Sequence, residues 1–128
     1  MSDTYALRVA AEVERFEASV RQQQLALAEE IAQGRIAAHA KHGHQSIEAV
    51  GSHVNLGTVL GRSDRLLSIL TEEVGEVATE VNDAVLGKYR EREAADRLRA
   101  ELVDVLTVAS AWVAKLDQAK TPQERVGA

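Results

Sequence analysis

The strongest constraint on this chain is a pair of acidic doublets, Glu73-x-x-Glu76 and Glu101-x-x-Asp104, each set in an apolar pattern of helical period. Residues three apart on a helix are surface neighbours, with Cβ atoms roughly 5–6 Å apart. The stretch from Ser63 to Trp112 reads as two such helices joined by a short polar turn. If they pack as a hairpin, four carboxylates meet in one small volume. Negative charge concentrated in that way is normally tolerated only with a cation.

The rest of the chain agrees with helices throughout, and the expected fold class is all-α: a helical bundle with three long helices. The first is capped by Ser2 or Asp3 and carries Val9, Val13, Phe16, Val20, Leu27 and Ile31 at helical spacing. Gly34 is expected to break or cap it, with a short helix resuming from Arg35 to His42. Periodicity then vanishes between Gly43 and Gly57, which reads as a loop of functional length. The second long helix is expected from about Asp64 to Leu86, capped by Gly87, with Ser63 before its start. Its buried side is Leu66, Ile69, Leu70, Val74, Val77, Val81 and Ala84, and Glu73, Glu76, Glu80 and Asp83 form a stripe along one margin. The third is expected from Glu91 to Leu116, with Leu98, Leu102, Val105, Ala109, Trp112 and Leu116 as its apolar face. No strand pattern, repeat or second domain is visible. Residues 1–120 read as one domain and 121–128 as a polar tail.

Composition narrows the class of function. In 128 residues there are no cysteines, so disulfides and thiolate metal sites are excluded. A net charge of −5 disfavours a nucleic-acid polymer as partner, because such surfaces need a basic patch. The opening residues lack a basic segment followed by an apolar run, and no apolar run is long enough to span a bilayer. A cytoplasmic location without membrane attachment is expected.

An acidic helix stripe is most often a solvated face. Here the stripe adjoins the apolar seam, and the i+4 positions of Glu73 and Glu76 are Val77 and Glu80, neither of them basic. Like charges at that spacing cost a few tenths of a kcal/mol each. Four oxygen ligands on rigid helices favour a hard divalent ion, and Mg²⁺ binds carboxylates while keeping waters and substrate phosphates in its shell. A di-iron bundle would need Glu-x-x-His motifs, and no histidine occurs on either helix. His39 and His42, with His44 nearby, lack a third ligand for zinc.

These residues carry a resemblance. Ile69-Leu70-Thr71-Glu72-Glu73-Val74-Gly75-Glu76-Val77-Ala78, followed by Glu101-Leu102-Val103-Asp104-Val105-Leu106, resembles the signature of the MazG-like all-α nucleoside triphosphate pyrophosphohydrolases. Upstream, Lys41-His42-Gly43-His44-Gln45-Ser46 resembles a Lys-x-Gly-x-Gln segment of short members, with Arg35 preceding it. The likeness extends from Arg35 to Leu116. Asp104 is followed by Val105-Leu106-Thr107-Val108 and not by the Tyr-His of the related phosphoribosyl-ATP branch.

The resemblance implies cleavage of a (d)NTP between its α- and β-phosphates, giving (d)NMP and pyrophosphate. It implies Mg²⁺, with Mn²⁺ as a substitute, held by Glu73, Glu76, Glu101 and Asp104. One of these or Glu72 would accept the proton of the attacking water. Arg35, Lys41 and Lys88 are candidate phosphate contacts; Gln45 and Asn82 are candidate contacts to base or sugar. For Trp112 a place in the core or a subunit interface is expected. Three long helices do not close a four-helix core alone, so a homodimer or homotetramer is expected, its bundle built from helix pairs of both chains. The competing reading is a non-catalytic regulatory helical module or acidic binding module, which would spread its acids over the outer surface.

Overall fold

The computed structural model describes residues 2–43 and 55–119. It is all-α, with four helices in the order α1 (Ser2–His42), α2 (Leu56–Gly61), α3 (Ser63–Val85) and α4 (Glu91–Gln118). Three are long, as the sequence indicates. By packing, the chain forms two units, Met1–Glu30 and Ile31–Ala128.

The first unit is helix alone. Its apolar residues Tyr5, Leu7, Val13, Phe16 and Leu25 are exposed, while Val20 and Leu27 are partly covered. The second unit holds the remaining helices and the core.

The expected break at Gly34 is absent, because α1 continues through it to His42. The glycine serves close approach instead. A Cβ at Gly34 would meet Thr107 Oγ1 at 3.0 Å and Cγ2 at 3.4 Å. Thr107 is buried and donates its hydroxyl to the Val103 carbonyl at 2.8 Å, so its own helix satisfies the group. At Gly43 the backbone turns to φ +57°.

Helix α2 begins earlier than the loop reading to Gly57 allowed. Asn55 is extended and caps it, accepting a hydrogen bond from the Gly57 amide at 2.9 Å, a contribution of about 1 kcal/mol. Arg62 separates α2 from α3, and Ser63, expected as a cap, is the first residue of α3.

The turn between α3 and α4 follows from one glycine. Gly87 takes φ +69°, a conformation costly for any residue with a Cβ. That bend lets the Lys88 amide reach the Asp83 carbonyl at 3.0 Å and the Gly87 amide reach the Ala84 carbonyl at 3.1 Å. The two bonds are the pair that ends a helix in a Schellman motif. Helix α4 then starts after extended Arg90, with Glu91 and Glu93 in its first turn, where the helix dipole favours acids.

Helices α3 and α4 pack as an antiparallel hairpin around Leu66, Val108 and Ala111, with Ile69, Leu70 and Trp112 against them. Val59 of α2 is also buried. Complete burial of Leu66 contributes about 2 kcal/mol. Trp112 thus belongs to the core, as the sequence suggests.

The buried faces are turned from those expected. On α3, Val74 and Val81 are exposed, whereas Glu80 is buried and Glu73 half-buried. On α4 the buried residues are Thr107, Val108 and Ala111, while Leu102 and Leu116 are exposed. The physical reason is that α4 is covered on two sides, by α3 and by the backbone of α1 at Gly34. A single-stripe reading cannot anticipate the second. Among the described residues no helix is long and apolar enough to cross a membrane.

Candidate metal centre

The hairpin brings the two doublets face to face. Glu73 and Glu76 come from α3 and Glu101 and Asp104 from α4, and each offers a carboxylate oxygen within 4.8 Å of all the others. Glu73 and Glu101 are half-buried and form the floor; Glu76 and Asp104 are exposed and form the rim.

Electrostatics of the floor are severe. Burial and then the charges of Glu76 and Asp104 raise the Glu73 carboxyl to about 7. Burial, followed by contact with Glu76, raises Glu101 to about 7 as well. Asp104 is also raised, first by burial and then by Glu76. Charge without a counter-ion is therefore unfavourable here, and the site holds protons that an ordinary surface carboxylate would release.

A second observation separates this cluster from a solvated acidic patch. Glu73 Oε2 and Glu101 Oε2 are sealed from solvent and have no hydrogen-bond partner. Buried acceptors without partners are costly, and in native proteins each requires an explanation. Convergent oxygens with two inner lone-pair donors fit a hard divalent cation bound through carboxylates.

The remaining acids of the α3 stripe have other partners. Arg97 of α4 donates from Nε to Glu80 Oε2 at 3.1 Å and from Nη2 to Glu80 Oε1 at 3.2 Å. Lys88 Nζ lies 3.7 Å from Asp83 Oδ2. Arg97 is seventeen residues from Glu80 and on the facing helix, so no i+4 position along α3 points to it.

The other candidate residues lie apart from one another. Glu72 is exposed on α3 beside Glu73 and is not one of the converging four. Asn82 is exposed, nine residues from Glu73 and therefore about 180° around α3 from it. Lys88 sits in the α3–α4 turn. Lys41 is exposed in the last turn of α1. Arg35 lines an open groove of about 630 Å³ with Ala32, Ile36, His39, Ala40 and Lys115, and none of the four carboxylates lines it. Gln45 and His44 lie outside the described residues.

Residues 62–122 match the model of a family described as the MazG nucleotide pyrophosphohydrolase domain. The matched segment is just under half of the chain, yet it contains the whole α3–α4 hairpin and all four carboxylates. No curated protein and no solved structure matches the chain. The α3–α4 hairpin is therefore similar to the MazG nucleotide pyrophosphohydrolase domain, and the all-helical fold agrees with that likeness. The Lys41-x-Gly43-x-Gln45 segment falls outside the matched residues.

Proposed function

We propose that the protein is a Mg²⁺-dependent nucleoside triphosphate pyrophosphohydrolase, cleaving a (d)NTP between the α- and β-phosphates. The observation that carries this reading is the convergence of Glu73, Glu76, Glu101 and Asp104 with two sealed, unpartnered oxygens among them. A polyphosphate is repelled by such a site unless cations stand between. When bound, Mg²⁺ supplies that positive charge and makes water a better nucleophile at neutral pH.

The chain's own part is to hold and to orient. Glu73 and Glu101 form the rigid floor of the ligand set, and their protons must leave when the cation enters. Glu76 and Asp104 complete the set at the rim. Glu72, exposed next to the site, offers a proton acceptor outside the ligand set. Arg35, Lys41 and Lys88 are proposed for the phosphates, and Gln45 and Asn82 for base or sugar.

The test is product analysis on a panel of nucleotides, with and without Mg²⁺. Monophosphate and pyrophosphate are expected only with the ion, and Mn²⁺ should support the reaction. Orthophosphate and diphosphate as products would refute the assigned bond. An inactive acidic module would release nothing under any condition.

The same reading includes assembly. Leu67, Val74 and Val81 recur every seventh residue along α3 and are exposed, and Leu102, Leu106 and Val113 are exposed on α4. Measured from Glu73 on α3 and Glu101 on α4, these residues lie about 80–140° away in one rotational sense, and Glu76 and Asp104 lie about 60° in the other. In an antiparallel hairpin that puts the apolar flanks side by side, away from the carboxylate rim. Six large apolar residues together form a patch of the kind that marks an interface. We expect a homodimer or homotetramer with this flank buried between copies. Light scattering at micromolar concentration should give at least twice the chain mass, and a stable folded monomer would rule the interface out.

A further inference from the structure

Glu80 is the one charged residue buried in the described part of the hairpin. It lies one helical turn beyond Glu76, and its partner Arg97 lies one turn before Glu101. Two hydrogen bonds, at 3.1 and 3.2 Å, join the guanidinium edge to both carboxylate oxygens. Such a fork is geometrically demanding in a way that a single lysine contact is not.

The guanidinium is held from a further side. Its central carbon lies 4.2 Å from the centroid of the Tyr89 ring, in the turn. Lys88 Nζ is 5.4 Å from the same ring and 3.7 Å from Asp83 Oδ2. Arg97 therefore ties α3, the turn and α4 together at the end of the hairpin nearest Glu76 and Glu101. Glu80 also acts on the site through its charge, since it contributes to the raised proton affinity of Glu101.

We propose that Arg97 is a positioning residue of the carboxylate centre, fixing the register of α3 against α4 through its two-point hold on Glu80. The inference rests on the reading of the four carboxylates as cation ligands. A slip of the hairpin by a fraction of a turn moves Glu73 and Glu76 relative to Glu101 and Asp104, so cation affinity depends on a pair that never touches the ion. Arg97 also neutralises a fifth carboxylate beside the centre.

For Arg97, geometry and charge make opposite forecasts, which gives a clean test. Glu80→Gln removes a negative charge and Arg97→Gln removes a positive one. If the pair acted only through long-range charge, Mn²⁺ would bind the first variant more weakly and the second more tightly. Positioning requires both to bind more weakly, by about tenfold or more for Arg97→Gln, as for other residues that support metal ligands. Arg97→Lys, which keeps the charge and loses the fork, should fall between.

Mn²⁺ titration calorimetry on the full chain, well below the melting temperature of each variant, reads this directly. A purely structural role would lower the melting temperature and leave the affinity of the folded protein unchanged. Affinities within twofold of wild type, or shifts of opposite sign, overturn the proposal. Arg97→Lys serves if Arg97→Gln fails to fold, because a role through charge alone leaves its affinity unchanged whereas positioning weakens it. Absence of Mn²⁺ binding by the wild type overturns the cation reading and this proposal together. Weaker binding in both variants of a protein that releases no pyrophosphate supports positioning and overturns only the assigned activity.

Discussion

Glu101→Gln and Asp104→Asn are each expected to lower turnover at least about a hundredfold, a loss of roughly 2.7 kcal/mol of transition-state stabilisation. Both substitutions keep the shape of the side chain and remove its charge. Asp104 is on the rim and Glu101 on the floor, so the pair samples both layers of the centre. Steady-state rates of pyrophosphate release at saturating Mg²⁺ are the measurement. Near-wild-type rates from both variants would leave the carboxylates without a catalytic role, whatever the fold.

The second large effect is on stability, and it reverses sign with the ion. Without a cation, the four carboxyls repel one another across a partly desolvated space. Glu76→Gln relieves that repulsion, so the metal-free variant should melt higher than metal-free wild type. Adding Mg²⁺ should invert the order, because a ligand that binds only the folded state stabilises it by RT ln(1 + [L]/Kd), about 2.7 kcal/mol at a hundred times Kd. The variant, short of one ligand, should gain much less.

Acidity gives the same comparison a second axis. Glu73 and Glu101 titrate near 7 in the folded chain, raised from an ordinary value of 4.5. Between those values the folded state binds more protons than the unfolded chain, so metal-free stability falls as pH rises through the window and is lowest above about 7. Glu76→Gln should flatten that slope, since Glu76 raises both groups. Melting curves in EDTA and in Mg²⁺ at matched ionic strength, at pH 5.5 and 8, measure all of this. Equal Mg²⁺ shifts in the two proteins would show that Glu76 is no ligand.

The part of the molecule legible in the sequence was the part governed by local rules. Helix α3 was bounded by Gly87, whose positive φ and Schellman bonds any C-terminal glycine advertises. The doublets Glu73/Glu76 and Glu101/Asp104 needed only helical periodicity and one hairpin to meet. What escaped was set by contacts across elements. Gly34 carries the same letter as a helix terminator, and only the approach of Thr107 shows that it is a packing position. Val74 and Val81 looked like core because they are apolar, yet Glu73 and Glu80 take the inward positions. Glu80 could be placed there only with Arg97, and no spacing rule on a single helix points to that partner.

The hairpin has a kinetic consequence. All four carboxylates and the Glu80–Arg97 pair come from two consecutive helices, so assembling the site closes a segment of only about 25 residues between Glu76 and Glu101. Contacts this close in sequence favour rapid folding. The repulsion among the acids is therefore met early, when the hairpin closes and before distant parts of the chain are needed. If the doublets hold a cation as proposed, its presence at that moment is expected to speed folding itself, and not merely to slow the reverse step, to the extent that the transition state already holds the doublets together.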